Sequence, residues 1–349
     1  MKPPTTTYFF LGANSESGFY SLYDQFCSAP TDMLHIIKGG PGTGKSTFMR
    51  KIGTAAEAHG LDVEYILCSG DPASLDGIYI PALQMGWADG TAPHILEPHH
   101  FGISALYEDL GRFCRHQLLM EQHDQITAFT KVYRQSYQTA YEYLRAAASI
   151  RISSVKQIPS DIEAKIQKRA HAKIKRELKH TNHSSKPIKR FLQAISHTGL
   201  TVVDQTINTL CSRLCILASD HGLEQFFFRE VEKELIANNC YYILCPDPLL
   251  PHWINGILLP EEELCFLSSN TSVHFQGVMR TIHLDSYLPK EKKSERTMRK
   301  NLYEQSLSAA ITHLHNAKLL HDELELCYRP ALDTQALNDY TQSVIDGLF

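Results

Sequence analysis

The chain has few of the features that define secreted, membrane or metal-binding proteins. Its nine cysteines form no C-x-x-C pair, the spacing most common in zinc sites and thiol redox motifs. No apolar run approaches the length needed to span a bilayer, and the first residues lack the apolar core of a signal peptide. These absences predict a cytoplasmic protein with reduced cysteines and no membrane partner.

Neither sign of charge dominates. The 349 residues include 34 Lys and Arg against 38 Asp and Glu, so the net charge is −4. This balance argues against a dedicated polyanion-binding protein, although local basic patches are compatible with it. The length is comfortable for two domains.

The stretch from Ile36 to Met49 matches a phosphate-binding loop. An apolar run that predicts a strand precedes it, and a segment with helical periodicity follows. The fixed positions of the pattern G-x-x-x-x-G-K-[ST] are filled by Gly39, Gly44, Lys45 and Ser46.

Each residue type in this loop has a physical reason. Glycines let the backbone approach phosphates closely, and N–H groups at a helix N-terminus attract anions. Lys45 is expected to reach the β- and γ-phosphates, and Ser46 to bind Mg²⁺. The predicted ATP site consists of Gly39, Gly40, Pro41, Gly42, Thr43, Gly44, Lys45, Ser46 and Thr47.

Strand and helix patterns alternate after the loop. A helical pattern runs to His59 and Gly60, a strand is predicted at Val63–Cys68, and an apolar run at Leu83–Ala88 ends at Asp89. This alternation predicts an α/β fold with a doubly wound parallel sheet.

The chain repeats itself from Phe191. Without gaps, Leu34–Phe48 aligns with Leu214–Phe228, and Tyr65–Cys68 matches Tyr242–Cys245. Each copy is followed by long helical patterns. A tandem duplication is therefore predicted, with these parts: residues 1–98 as a core with the intact loop, 99–186 as a helical hairpin insertion, 187–285 as a degenerate repeat and 286–349 as a C-terminal helical segment.

The second copy has lost the phosphate loop. In the gapless alignment Gln225 stands in place of Lys45 and Phe226 in place of Ser46. Without the ammonium group and the hydroxyl, nucleotide binding there should be very weak.

This loss helps to choose among the carboxylates of the first copy. Asp89 aligns with Ser269 and Asp76 with Asn255, whereas Asp71 matches Asp247. Because residues that disappear together with the loop are candidates for working with it, Asp89 is predicted to hold Mg²⁺ or to orient the attacking water. Asp76 is the second choice, as a general base or substrate contact.

A basic segment lies between the two copies. Lys165–Arg190 contains ten Lys and Arg and one acid, Glu177. A solvated helix face explains such a run, and a surface for nucleic acid or an acidic partner is the alternative.

The loop at Gly39–Thr47 strongly resembles those of P-loop NTPases, in which the residue at Thr47 binds the α-phosphate. The chain is also similar to a little-characterised group of bacterial ATPase-like proteins with two tandem P-loop lobes. The segments that carry this resemblance are Gly39–Thr47, Cys68–Gly77 and Asp89–His94. It implies ATP and Mg²⁺ as ligands, and it does not define the reaction.

Three hypotheses follow. The first is an Mg²⁺-dependent ATPase with one active site, whose nucleotide state is coupled to the arrangement of the two lobes and to an unidentified macromolecular partner. The second is a kinase for a nucleotide or small metabolite, and the third is a non-catalytic, ATP-responsive adaptor that binds nucleic acid through Lys165–Arg190. An arginine from the second lobe, Arg280, Arg296 or Arg299, is a further candidate to reach the γ-phosphate.

Overall fold

A computed structural model describes residues 4–92, 96–97, 102–178, 187–269, 273–289 and 293–349. Within these ranges the chain forms two α/β units, each built on a six-stranded sheet. The first unit contains β1 (Thr6–Phe10), a hairpin of β2 (Gly12–Ser15) and β3 (Gly18–Ser21), then β4 (Met33–Lys38), β5 (Val63–Leu67), β6 (Leu75–Ile80), β7 (Met85–Asp89) and β8 (Ala105–Asp109). The sheet order is β1-β5-β6-β7-β4-β8.

The predicted all-parallel sheet is wrong, because the first sheet is mixed. Strand β6 runs antiparallel to both β5 and β7, while the other neighbouring pairs are parallel. The connections on either side of β6, residues 68–74 and 81–84, are too short for the crossover helix that parallel neighbours require. The α/β class is confirmed. The sheet also extends past residue 98, since β8 is its edge strand.

The second sheet has the same strand order and the same directions. Its strands are β9 (Ile188–Lys189), β12 (Arg213–Ala218), β13 (Ile243–Pro246), β14 (Ile254–Leu259), β15 (Leu264–Ser268) and β16 (Val278–His283), and a separate hairpin joins β10 (Gln193–Ser196) to β11 (Gly199–Val202). The order is β9-β13-β14-β15-β12-β16, and only β14 is antiparallel to its neighbours.

Two long helices pack against each other across the two units. The two are α3 (His123–Lys156) and α7 (Lys293–Tyr328). The other helices are α1 (Lys45–Ala58), α2 (His116–Glu121), α4 (Ser160–Glu177), α5 (Asp204–Leu210), α6 (Glu224–Ala237) and α8 (Thr334–Leu348). The rings of Tyr133 and His321 lie 5.8 Å apart, and Arg299 donates to Ser153 Oγ at 2.8 Å. Helix α3 is therefore antiparallel to α7.

This pairing corrects the predicted helical hairpin. Instead of folding back on α3, helix α4 buries the face with Ile162 and Ile166 against α6. Its counterpart α8 packs on α1, where Leu337 joins the same apolar cluster as Phe48. The period of the apolar residues correctly predicted which face of α4 is buried, but it contains no information about the partner.

The two units share an apolar interface. The backbones of Phe10 and Phe191 exchange two hydrogen bonds of 2.9 Å, and both side chains are fully buried. Arg190 adds a buried ion pair with Glu64 of the first sheet. This interface holds the two sheets in a fixed relation.

Candidate nucleotide site

The loop predicted to bind phosphate connects β4 to α1. Gly42 and Gly44 have φ angles of 68° and 82°, a region that glycine adopts without strain. Gly44 is the N-cap of α1, so the loop's backbone N–H groups lie at the positive end of a helix. The side chain of Thr43 donates to the Gly40 carbonyl at 2.8 Å and holds the turn. Positive φ at two glycines just before a helix is typical of loops that bind anions.

Lys45 is the first residue of α1 and lies over the loop. Its ammonium group donates to the carbonyls of Gly39 and Gly40, both at 2.9 Å, and lies 3.5 Å from Asp89 Oδ2. The structure thus brings together the predicted lysine and the first-choice carboxylate.

Asp89 ends the strand that neighbours β4. The parallel register pairs it with Ile37, just before the loop. Its Oδ1 accepts hydrogen bonds from the N–H and the hydroxyl of Thr91, at 2.9 and 2.6 Å, which fixes the carboxylate. Beside a glycine loop, at the carboxyl end of a parallel strand, an acidic residue is well placed for Mg²⁺.

Asp76 lies at the same edge of the sheet. The pairing of Gly77 with Ala88, continued by one residue, sets Asp76 opposite Asp89. Both are largely buried, at 5% and 9% exposure. Burial raises the pKa of the nearby Tyr23 hydroxyl well above its usual value, and the charges of Asp76 and Asp89 raise it further. Carboxylates placed opposite each other repel unless a cation lies between or beside them.

The Ser46 hydroxyl oxygen has one lone pair in use and a second that is available to a metal. It accepts the Leu75 N–H at 2.9 Å, and a hydroxyl has two acceptor sites and one donor. Leu75 begins the strand that carries Asp76, so this bond ties the start of α1 to the same sheet edge. Thr47 is exposed on the first turn of α1.

The end of α7 packs directly on the loop, which the sequence did not predict. A Cβ atom built on Gly40 would lie 2.4 Å from the ring of Tyr328, and one on Gly42 would lie 3.2 Å from the carbonyl of Glu325. Helix α7 begins far from this loop, at the second unit. Near its start Lys300 pairs with Asp220 of the second unit, and near its end Glu325 and Tyr328 contact the loop of the first unit. The C-terminal half of α7 is therefore the part that reaches the first unit.

Two basic side chains of α7 lie near the loop. The ammonium of Lys318 is 3.4 Å from Asp71 Oδ2, and His321 Nδ1 is 3.7 Å from Glu325 Oε1. Burial lowers the pKa of His321, and the positive charges of Lys318 and Lys45 lower it further, against the effect of Glu325. The charge of Lys45 therefore acts on the surroundings of His321.

Of the arginines named from the sequence, Arg296 and Arg299 lie at the N-terminal end of α7, away from the glycine loop. Arg299 donates to Ser153 near the C-terminus of α3, and the neighbouring Lys300 pairs with Asp220 in the second unit's loop at 2.8 Å. Arg280 is in edge strand β16 of the second sheet. Sequence alone could not place them, because the direction of α7 was unknown.

The second loop differs from the predicted alignment by one residue. The Leu75 N–H donates to Ser46 Oγ, and in the second unit the Ile254 N–H donates to Gln225 Oε1, each at 2.9 Å. Gln225 therefore occupies the place of Ser46, and Glu224, the first residue of α6, occupies the place of Lys45. The gapless alignment was wrong because the second loop is one residue shorter between its strand and its helix.

Glu224 belongs to a buried ion cluster with Arg151 and Asp247. Arg151 of α3 lies 3.2 Å from Glu224 Oε1 and also binds Asp247, and both carboxylate side chains are 1% exposed. Burial raises the pKa of Glu224, and the charge of Arg151 opposes that shift. The second unit thus replaces the lysine by an acid and neutralises it with an arginine from the helix above.

The carboxylates of the first unit have neutral counterparts. In the strand pairings, Gly256 with Leu267 corresponds to Gly77 with Ala88. The next residue along each strand then gives the counterparts of the two acids. Asn255 corresponds to Asp76, as predicted, and Ser268 corresponds to Asp89, where Ser269 was predicted. Ser268 donates a hydrogen bond to Asn255. The two acids therefore change together to a neutral, hydrogen-bonded pair.

The predicted match of Asp71 with Asp247 is also wrong. Cys68 N–H donates to Ser74 across one loop, and Asp247 N–H donates to Trp253 across a loop of the same length. Asp247 therefore occupies the place of Cys68. His94, at the end of the third resemblance segment, lies outside the described residues.

Among the described residues, one further cluster has the composition of a metal site. His171 Nδ1 lies 3.0 Å from Glu234 Oε1 and 3.5 Å from Glu230 Oε1, and the three ligand atoms lie within 4.8 Å of one another. An ion pair between helices α4 and α6 accounts for this contact equally well, and Lys233 also pairs with Glu230.

The basic segment is partly neutralised. Lys165 pairs with Asp161 at 2.9 Å, Lys173 pairs with Glu177, and Arg190 is 5% exposed. Residues 179–186 of this segment lie outside the described residues. The nucleic-acid surface stays a prediction, with Arg190 removed from it.

Comparison of the chain with protein-family models, with curated proteins and with solved structures gave no match. In the described part of the chain, no helix combines the length and the hydropathy needed to cross a bilayer. All nine cysteines are free thiols.

Proposed function

We propose that the chain is a cytoplasmic, Mg²⁺-dependent P-loop ATPase with a single nucleotide site in its first unit. The observation that carries the proposal is the position of Lys45. It starts the helix after a glycine loop and lies 3.5 Å from Asp89, which ends the neighbouring parallel strand. Phosphate loop, lysine and strand-end carboxylate are the parts that nucleoside triphosphate hydrolysis requires.

The residues present fit Mg²⁺ and ATP. The nest formed by Gly42 and Gly44 at the start of α1 offers N–H donors to the phosphates, and Lys45 adds a charge. Ser46 and Asp89 would hold the metal, which when bound neutralises charge that develops on the phosphoryl group. Asp76, buried opposite Asp89, would orient a water molecule.

The proposal includes an internal duplication in which the second site has been lost. The identical order and direction of the strands in the two sheets support a common origin. The replacement of Lys45 by Glu224, and of Asp76 and Asp89 by Asn255 and Ser268, supports the loss. An acid in the place of the lysine repels phosphate.

Phosphoryl transfer to a small acceptor is a second candidate. It is favoured by Asp76, because a second buried carboxylate beside the metal-binding one could accept a proton from an acceptor hydroxyl. Water and an alcohol require the same phosphate site, so the fate of the γ-phosphoryl group separates the two reactions.

The test follows the label from γ-labelled ATP with Mg²⁺, in the presence and absence of an extract of small metabolites. Free phosphate in both conditions supports the ATPase, and a labelled metabolite supports the kinase. Lys45→Ala should abolish both binding and turnover. The matched control is Lys51→Ala, on the same helix, whose side chain contacts Asn338 at 2.8 Å. Equal activity of Lys45→Ala and the parent would refute the site.

A further inference from the structure

The half of α7 that lies over the first unit carries two basic side chains, Lys318 and His321, whose acidic partners lie outside the glycine loop. We propose that Lys318 and His321 bind the terminal phosphate of the nucleotide, so that helix α7 senses whether ATP or ADP is present. This inference rests on the proposed function and assigns a γ-phosphate contact to a helix that begins in the other unit.

Helix α7 contacts the loop at two of its glycines. Glu325 and Tyr328 pack against Gly42 and Gly40. Lys318 lies seven residues before Glu325, which is two turns or roughly 10 Å along the helix. The Lys318 ammonium group lies 3.4 Å from Asp71 Oδ2, in the connection that leads into Leu75 and Asp76 at the edge of the sheet where Asp89 lies.

The other unit shows the equivalent contact. Helix α3 buries Ala140, Leu144 and Ala147 as α7 buries Ala310, Leu314 and Ala317. Arg151 lies four residues after Ala147, and His321 lies four residues after Ala317, so the two occupy equivalent positions. Arg151 contacts Glu224 directly, and Glu224 occupies the place of Lys45. The overlying helix therefore does reach the first residue of the loop helix in this fold.

The pattern of charge differs between the two units. In the second unit an acid below meets an arginine above, and the cluster is neutral without a ligand. In the first unit Lys45 lies below, beside Asp89, and Lys318 lies above, paired with Asp71 and Asp322. A phosphate bound between the two ammonium groups would be attracted by both of them. A phosphate is the anion that the loop is built to bind.

The neighbours of these two groups define their roles. Lys318 pairs with Asp71 of the first unit and with Asp322 of its own helix. His321 faces Glu325 and the ring of Tyr133 on α3. Burial and the nearby cations lower the pKa of His321. Lys318 therefore supplies the charge and His321 a ring N–H.

The test compares the affinities of ADP and of a non-hydrolysable ATP analogue, both with Mg²⁺, by titration calorimetry. Lys318→Gln should weaken binding of the analogue at least about tenfold, as loss of a charge-assisted hydrogen bond does. It should change the ADP affinity less than about twofold, because ADP lacks the contacted group. Lys318→Arg should restore the preference for the analogue.

Lys300→Gln is the matched control, since Lys300 lies on the same helix and pairs with Asp220 at the second loop. It should change neither affinity. An unchanged ratio of the two affinities in Lys318→Gln would overturn the inference, and so would an equal loss of both. A parent protein that binds neither nucleotide would refute the proposed function. A parent that binds both, with an unchanged ratio of affinities in Lys318→Gln, would refute only the role of α7.

Discussion

Arg151 holds two buried acids, and its removal should destabilise the protein strongly. Arg151→Met deletes the contacts to Glu224 and Asp247, whose side chains are 1% exposed. Breaking a buried ion pair by removal of one partner costs about 3–5 kcal/mol. Asp247 keeps hydrogen bonds from the N–H groups of Leu249 and Leu250. Glu224 is thus the acid that loses its main partner, and we expect the free energy of unfolding to fall by about 3 kcal/mol.

The loss should depend on pH. Burial already raises the pKa of Glu224 in the folded protein, and the charge of Arg151 opposes that rise. In Arg151→Met the folded pKa therefore rises further. A carboxyl group whose pKa is raised on folding destabilises the folded state as the pH increases through that pKa. The deficit of Arg151→Met should be smaller at pH 5 than at pH 8.

Urea unfolding followed by tryptophan fluorescence measures this effect. Trp253 reports locally, because Arg151 lies 5.2 Å from its ring, and Trp87→Phe in both parent and variant removes the other tryptophan. Lys300→Gln, which breaks an exposed pair, should cost less than about 1 kcal/mol. A loss below about 1 kcal/mol in Arg151→Met, or a larger loss at low pH, would refute the stabilising role of the buried ion cluster.

Three further outcomes are expected. Asp89→Asn should lower ATP hydrolysis by about 100-fold or more in a phosphate-release assay, because it removes the carboxylate proposed to hold Mg²⁺; a rate within a few-fold of the parent would exclude that role. Gln225→Ala should leave the ATP affinity unchanged. It should lower the free energy of unfolding by about 1–3 kcal/mol, since it removes the partner of the Ile254 N–H and carbonyl. A marked loss of ATP affinity would give the second unit a part in the site. If Lys165–Arg190 is only a solvated helix face, a low-salt filter-binding assay should retain no RNA or DNA, and steep salt-dependent binding would favour the adaptor hypothesis.

The sequence correctly placed the glycine loop between a strand and a helix because the requirements there are local, and its binding of phosphate stays a prediction. A glycine loop of this pattern between a strand and a helix is typical of phosphate binding, and Asp89 was found from the end of an apolar run. The antiparallel direction of β6 was missed, because an apolar strand pattern is the same in either direction. The short connections on both sides of it were the available signal.

The alignment of the two copies failed where residue identity was misleading. Tyr65–Cys68 matches Tyr242–Cys245 in letters, yet the loop hydrogen bonds match Cys68 with Asp247, a shift of two residues. A shift of two keeps the alternation of inward and outward side chains, so the hydrophobic pattern could not reveal it. The shift of one residue at Glu224 lies in the loop, where no periodicity exists.

The helix pair above the sheets could not be predicted either. The apolar face of α3 and that of α7 are visible in the sequence, but the pairing joins segments far apart in the chain, such as Tyr133 and His321. Periodicity shows that a face is buried and leaves its partner open. For this reason the sequence did not indicate that Lys318 and His321 lie near the first unit, and it named Arg296 and Arg299 at the other end of α7.

The central claim is one nucleotide site per chain, at Gly39–Thr47. Equilibrium dialysis of the purified protein against Mg²⁺ and labelled ATP, at concentrations well above the dissociation constant, counts the sites directly. We predict one ATP per chain, lost in Lys45→Ala and kept in Glu224→Gln. Two nucleotides per chain, or one nucleotide that persists in Lys45→Ala, would contradict the claim.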